Sequence, residues 1–110
     1  VTSIFGQPTA NAGITCKNNS VCIELCGAEY YAYLIERENN GKKQKVLDGS
    51  TPGLFTDKNL AFNEKYTYTV TPYYIGNNGE RIYGKKETLP AVYIKTDQNK
   101  KDEYGEWWKN

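Results

Sequence analysis

The sequence predicts an all-β domain of short antiparallel strands, folded as a sandwich or a barrel. Within residues 65–75, Tyr66, Tyr68 and Val70 fall on one face and Thr67, Thr69 and Thr71 on the other. That period of two marks a half-buried strand. Asn pairs at 18–19, 39–40 and 77–78 each stand between two strand patterns. Asn tolerates the left-handed backbone that tight hairpin turns require. No segment keeps a 3.6-residue apolar period over successive turns, so no long helix is expected.

The 110 residues suffice for one domain and are too few for two. Ten Tyr, together with Thr, Val and Ile, suit pleated strands. Fourteen basic residues against thirteen acidic ones give a net charge of +1. That balance argues against nucleic acid as a partner, because such domains usually carry a basic face. No apolar run is long enough to span a bilayer, so direct membrane insertion is not expected. The chain opens on Val1 with no charged-then-apolar leader, and reads as a piece cut from a longer protein.

Residues 1–12 read as a linker turning into a first edge strand, since Gly6 and Pro8 discourage a helix. GITCKNNSVCIEL follows as a hairpin turning at Asn18 and Asn19. A two-residue turn there sets Lys17 against Ser20 and Cys16 against Val21. This register places Ile14, Cys16, Val21, Ile23 and Leu25 on the core face, with Thr15, Cys22 and Glu24 outside. After a break at Gly27-Ala28-Glu29, Tyr31, Tyr33, Ile35 and Arg37 share one face of the next strand. Asn39-Asn40-Gly41 is the strongest turn signal of the chain. KKQKVLDG is then a short Lys-rich edge strand, a composition that blunts edge-to-edge aggregation. STPG turns the chain again, and LFTDKNL leads into the long strand, which ends near Ile75. Asn77-Asn78-Gly79 closes another hairpin, and RIYGKKETLPAVYIKT supplies the last strand, with Pro90 at a bulge or an edge. Residues 97–110 form a charged tail that brings Tyr104, Trp107 and Trp108 close together in sequence.

Around the start of the long strand, Phe55, Asp57, Leu60, Tyr66, Tyr68 and Val70 stand in an order and spacing that resembles the fibronectin type III family. SVCIEL resembles the family's second strand, and Tyr33, Ile35 and Arg37 in YLIER its third. Leu25 or Cys26 stands where the family carries a buried Trp, and Phe62 replaces a customary Pro. The resemblance covers residues 13–96. It implies a seven-stranded antiparallel immunoglobulin-like β-sandwich, with Tyr66, Leu60 and Asp57 forming a structural corner. In such corners the phenol oxygen bonds backbone a few residues upstream. It also implies an extracellular or cell-surface module of a larger bacterial protein, such as a penicillin-binding protein, a glycoside hydrolase or an adhesin. The Asn-, Lys- and Tyr-rich composition points the same way, toward an AT-rich bacterial genome. Its partners would be neighbouring domains of the same chain, or cell-wall polysaccharide or protein.

No catalytic constellation emerges, and neither an enzyme nor a cofactor is expected. Glu24, Glu29, Glu36, Asp48, Asp57 and Glu64 read as solvated, with Asp57 bonding local backbone. A glycosidase pair needs two carboxyls roughly 5–10 Å apart in a cleft. The three cysteines, Cys16, Cys22 and Cys26, lie within a short stretch and the chain has no His. That spacing fits no usual zinc knuckle, so no metal is expected. Cys22 and Cys26 are four apart on one strand, about 13 Å, whereas a disulfide needs Cα atoms within about 7 Å. The reading is three free thiols, with Cys16 packed as a small apolar residue. Asn18-Asn19-Ser20 matches a glycosylation acceptor, but the turn explains it. Tyr30, Tyr73, Tyr83, Trp107 and Trp108 are read as partly exposed. Of these, Tyr73, Tyr83, Trp107 and Trp108 are candidate ligand contacts, since rings with polar neighbours stack on sugars or anchor proteins.

Overall fold

The computed structural model describes residues 7–50 and 53–95. The described strands are β1 (Asn11–Lys17), β2 (Ser20–Cys26), β3 (Ala32–Asn39), β4 (Lys42–Gly49), β5 (Leu54–Asp57), β6 (Glu64–Ile75), β7 (Arg81–Tyr83), β8 (Glu87–Thr88) and β9 (Val92–Ile94). They form two antiparallel sheets facing each other, ordered β1-β2-β5 and β4-β3-β6-β7. The short β8 and β9 also pair with β6. The last ribbon is therefore one strand in three pieces. Gly84 N–H donates to Pro72 and Leu89 N–H to Tyr68 across the gaps, which keeps the pieces aligned. Counted as one, they leave the seven strands expected. Pro90 has no N–H for the ladder and sits in the second gap.

Hairpin chemistry sets the registers. Lys17 pairs with Ser20 and Cys16 with Val21, and Asn18 takes φ 53° at the turn. Asn40 (φ 53°) and Gly41 (φ 79°) both lie in the left-handed region, the pattern of a two-residue primed turn. Asn39 faces Lys42 across it. The Lys-rich β4 lies on the sheet edge, with an irregularity between Ile35 and Glu36 where Val46 is the extra residue.

The core is the inward face of this alternation. Val21, Ile23 and Leu25 from one sheet meet Tyr33, Ile35, Tyr66, Tyr68 and Val70 from the other. Leu60, Leu89 and Ile94 close it. Cys16 does not join them: it is exposed, with Sγ 3.8 Å from the Asn18 carbonyl. Its partner Val21 is fully buried on the central strand. β1 is the outermost strand, and Cys16 lies next to the hairpin tip, where the facing sheet no longer covers it.

Asp57 also departs from expectation. Instead of local backbone, one carboxylate oxygen accepts from Arg37 Nη1 at 2.7 Å on β3 and from Tyr68 Oη at 2.5 Å on β6. Asp57 belongs to the three-stranded sheet and its partners to the other, so the cluster ties the two layers together. Arg37 also lies over the Tyr66 ring, 5.7 Å from its centre. Tyr66 Oη accepts from the Ala61 N–H at 3.1 Å. The connection between β5 and β6 is thereby pinned from inside. Two of its residues, Asn59 (φ 62°) and Asn63 (φ 65°), take the backbone that Asn tolerates best.

Tyr68→Phe leaves the ring packed and strips one donor from a mostly buried carboxylate, so it should cost about 1–3 kcal/mol. Tyr66→Phe leaves the Ala61 N–H short of a partner and should cost about 1 kcal/mol. Urea midpoints for both variants check this, and a Tyr68→Phe midpoint equal to wild type would contradict the cross-sheet role.

Candidate functional site

The alternation that buries Tyr68 sends Tyr73 to the outer face of the larger sheet. The register around the turn at residues 77–79 then sets Tyr73 against Tyr83 and Ile75 against Arg81. Their rings are tilted, with centres 5.4 Å apart. Arg81 lies back over the Tyr73 ring, with the guanidinium carbon 4.4 Å from its centre. Arg81 Nη1 donates to Asp48 Oδ1 at 2.9 Å and to Tyr83 Oη at 3.2 Å. Tyr73 Oη donates to the same Asp48 oxygen at 2.8 Å. Asp48 sits on β4 and Arg81 on β7, with β3 and β6 between them. One arginine therefore spans the sheet from edge ribbon to edge strand.

This geometry corrects one candidate and keeps another. Tyr73 is not a surface ring: it is 3 % exposed, roofed by Arg81. Tyr83 remains 43 % exposed beside it. Trp107 and Trp108, like Tyr104, lie outside the described residues. Burial pushes the Tyr73 phenol up from its ordinary pKa, and the bond to Asp48 adds to this. The Asp48 carboxyl is held below its ordinary range, first by the Tyr73 hydroxyl, then by Arg81.

Chemically the cluster is a fixed scaffold with one exposed ring. Its carboxylate is already shared among Tyr73, Arg81 and Lys45. Of the remaining corner residues, Leu60 is buried at 5 % exposure. Glu24 and Glu29 are exposed, Glu36 is half-buried, and Glu64 accepts from Asn39 and Asn40. Cys16, Cys22 and Cys26 are free thiols. Among the described residues, no three His, Cys, Asp or Glu side chains gather as metal ligands. From sequence Asp48 reads as one of the solvated carboxylates, whereas the structure ties it to Tyr73, Arg81 and Lys45, and Arg81 is not singled out at all. The available signal was the turn at 77–79, whose symmetric continuation pairs 75 with 81 and 73 with 83.

A scan of protein-family models matches none, and a search of curated proteins finds no match. Solved structures do match. The FN5 domain of Drosophila Lar superposes with a TM-score of 0.55 at 16% identity, over 83% of this chain and 97% of that one. The fold is that of a fibronectin type III domain. A human collagen XX domain of the same type gives a TM-score of 0.51 at 19% identity, over 78% of this chain and 90% of its own. The twitchin kinase region from C. elegans gives 0.57 at 15% identity, where 76% of this chain matches 15% of that much longer one. Identities this low carry the fold alone. In this fibronectin type III frame, the Asp57 cluster joins the sheets through the interior and the Asp48 cluster crosses the larger sheet on its outside.

The depressed Asp48 carboxyl has a definite sign. A group whose folded pKa lies below its unfolded value adds stability above the unfolded pKa, near 3.9, and loses it as pH falls through the folded pKa. Wild type should therefore lose stability more steeply than Asp48→Asn as pH falls below about 4. Thermal midpoints of both proteins across that range check it, and parallel curves would contradict it.

Proposed function

We propose that this fibronectin type III domain is a non-catalytic spacer or docking module of a larger bacterial extracellular or cell-surface protein, such as a cell-wall enzyme. The observation that carries this reading is where the chain crosses the body. β1 starts at Asn11, opposite Cys26, at the pole that also holds Gly27 and the turn after β6. β9 ends at Ile94, opposite Glu64, at the other pole beside the turns at 18–19 and 40–41. Chain that enters at one pole and leaves at the other sets its flanking segments a sandwich length apart. Asp57 and Asp48, each bonded to two or more side chains, are used as ties between strands. Among the described residues no helix is long and apolar enough to cross a membrane.

The test is replacement in the full parent chain. Deleting residues 11–94 should lower the parent's activity or surface display, and an unrelated fibronectin type III domain of equal length should restore it. If the replacement fails as completely as the deletion, the surface of this domain matters and the spacer reading falls.

The exposed Tyr83 ring favours one rival reading, recognition of cell-wall polysaccharide or protein by surface aromatics. Trp107 and Trp108 belong to it, and they alone report in tryptophan fluorescence. Titrating soluble cell-wall polysaccharide should shift that emission or weaken on Tyr83→Ala if this rival holds; a flat response in both removes it.

A further inference from the structure

At the pole where β1 starts, the chain leaves β2 through Gly27 and turns into β3. A cleft of about 550 Å³ opens there, walled by Tyr31, Tyr33, Glu29 and the backbone of Gly27 and Gly53. Tyr33 is 4 % exposed, yet it lines this cleft. Among the described residues no donor or acceptor pairs with its hydroxyl, which opens to the cleft and is not sealed in the core. Of the other deep phenols, Tyr66, Tyr68 and Tyr73 each bond a protein partner through the hydroxyl. Burial pushes the Tyr33 phenol up, with smaller contributions from Tyr31 and Cys26, so it stays protonated and able to donate.

The wall beside it is fixed in advance. Tyr31 meets Tyr30 edge-on at 5.1 Å, and Tyr30 meets Tyr74 edge-on at 5.5 Å. The Tyr31 N–H donates to the Ala28 carbonyl at 3.0 Å, which closes the turn. Gly27 is required by space: a Cβ there would stand 2.7 Å from both the Tyr31 ring and the Tyr33 hydroxyl.

We infer that this cleft binds a neutral saccharide of one or two rings, with the Tyr33 hydroxyl as the hydrogen-bonding group at its floor and the Tyr31 ring as its apolar wall. None of the described lining residues is cationic, which favours a neutral ligand over a phosphate or a carboxylate. Glu29 offers acceptors to sugar hydroxyls, and Tyr33 both donates and accepts. Ring faces beside hydroxyl and carboxylate groups suit the mixed apolar and polar surface of a pyranose. The volume falls within the usual range for small-ligand sites, about 300–1,000 Å³. This site is separate from Tyr83 and goes beyond the spacer reading.

Amide chemical shifts, followed while cellobiose, maltose and N,N′-diacetylchitobiose are added separately, test it. At least one sugar should move the amides of Gly27, Ala28, Tyr31 and Tyr33 together, with saturation at about 1–10 mM. Tyr33→Phe keeps the ring and should weaken that binding about five-fold, the loss of one hydrogen bond. Tyr31→Ala removes the apolar wall and should weaken it further; amide spectra of the free variant check that the fold is kept. Silence from all three sugars overturns the inference, as does unchanged affinity in Tyr33→Phe. Shifts confined to Tyr83 and its neighbours also overturn it and support the rival surface instead. A proline-rich peptide that moves the same amides while the sugars do not would reassign the cleft.

Discussion

A carboxylate placed between two sheets constrains everything around it. Asp57 comes from the smaller sheet, and its partners Arg37 and Tyr68 from the larger one. Its side chain is only 12 % exposed. A charge so withdrawn from water is costly unless it is paired and hydrogen-bonded. Both donors must therefore arrive at the same oxygen, which fixes how far one sheet slides over the other. Apolar packing alone is less exacting, because side chains of similar size repack at modest cost. The Tyr66 corner depends on the same arrangement, since Arg37 covers its ring while its oxygen holds Ala61.

Local rules made most of the scaffold readable. The alternation along Tyr66–Val70 placed β6, and an Asn pair fixed the β1–β2 register residue by residue. These signals live within a few residues of one another, where strand period and turn chemistry act. The failures share a different cause. Cys16 has the inward parity of Val21 but is exposed on the edge strand beside the hairpin tip. Tyr73 has outward parity, yet Arg81 from the neighbouring strand covers it. Asp57 looked like a loop carboxylate until strands distant in sequence brought Arg37 and Tyr68 to it. Parity assigns a face; it does not say what lies over that face. For Asp57 the coverage comes from the other sheet, which no spacing rule specifies; for Tyr73 it comes from the hairpin partner set by the turn at 77–79.

The candidate site follows the same division. Tyr83 was legible as an aromatic among polar neighbours, and the structure leaves it open. The arrangement around it was not, because Asp48 and Arg81 lie at opposite margins of the sheet. Their pairing covers Tyr73 and holds the broken β7–β9 ribbon's first piece against the sheet. That ribbon has short ladders and two gaps, so a tie from Arg81 compensates where backbone bonds are few. An arginine suits the task because its planar head both stacks on a ring and donates to several acceptors.

Three of the buried tyrosine hydroxyls hold strands together, and that of Tyr33 does not. Tyr66 holds backbone, Tyr68 holds the opposite sheet, and Tyr73 holds an edge strand. A buried phenol that served packing alone would be better replaced by phenylalanine, since an unpaired hydroxyl costs stability and adds no contact. Tyr33 buries its ring but opens its hydroxyl to the mouth of a cleft, beside a glycine that no larger residue could replace without moving it. The difference separates the two aromatic surfaces of the domain. On the outer sheet the polar groups already satisfy one another, so a ligand would have to displace a bond to gain one. At the pole the hydroxyl is still available, so a ligand that bonds it would gain contact without breaking any.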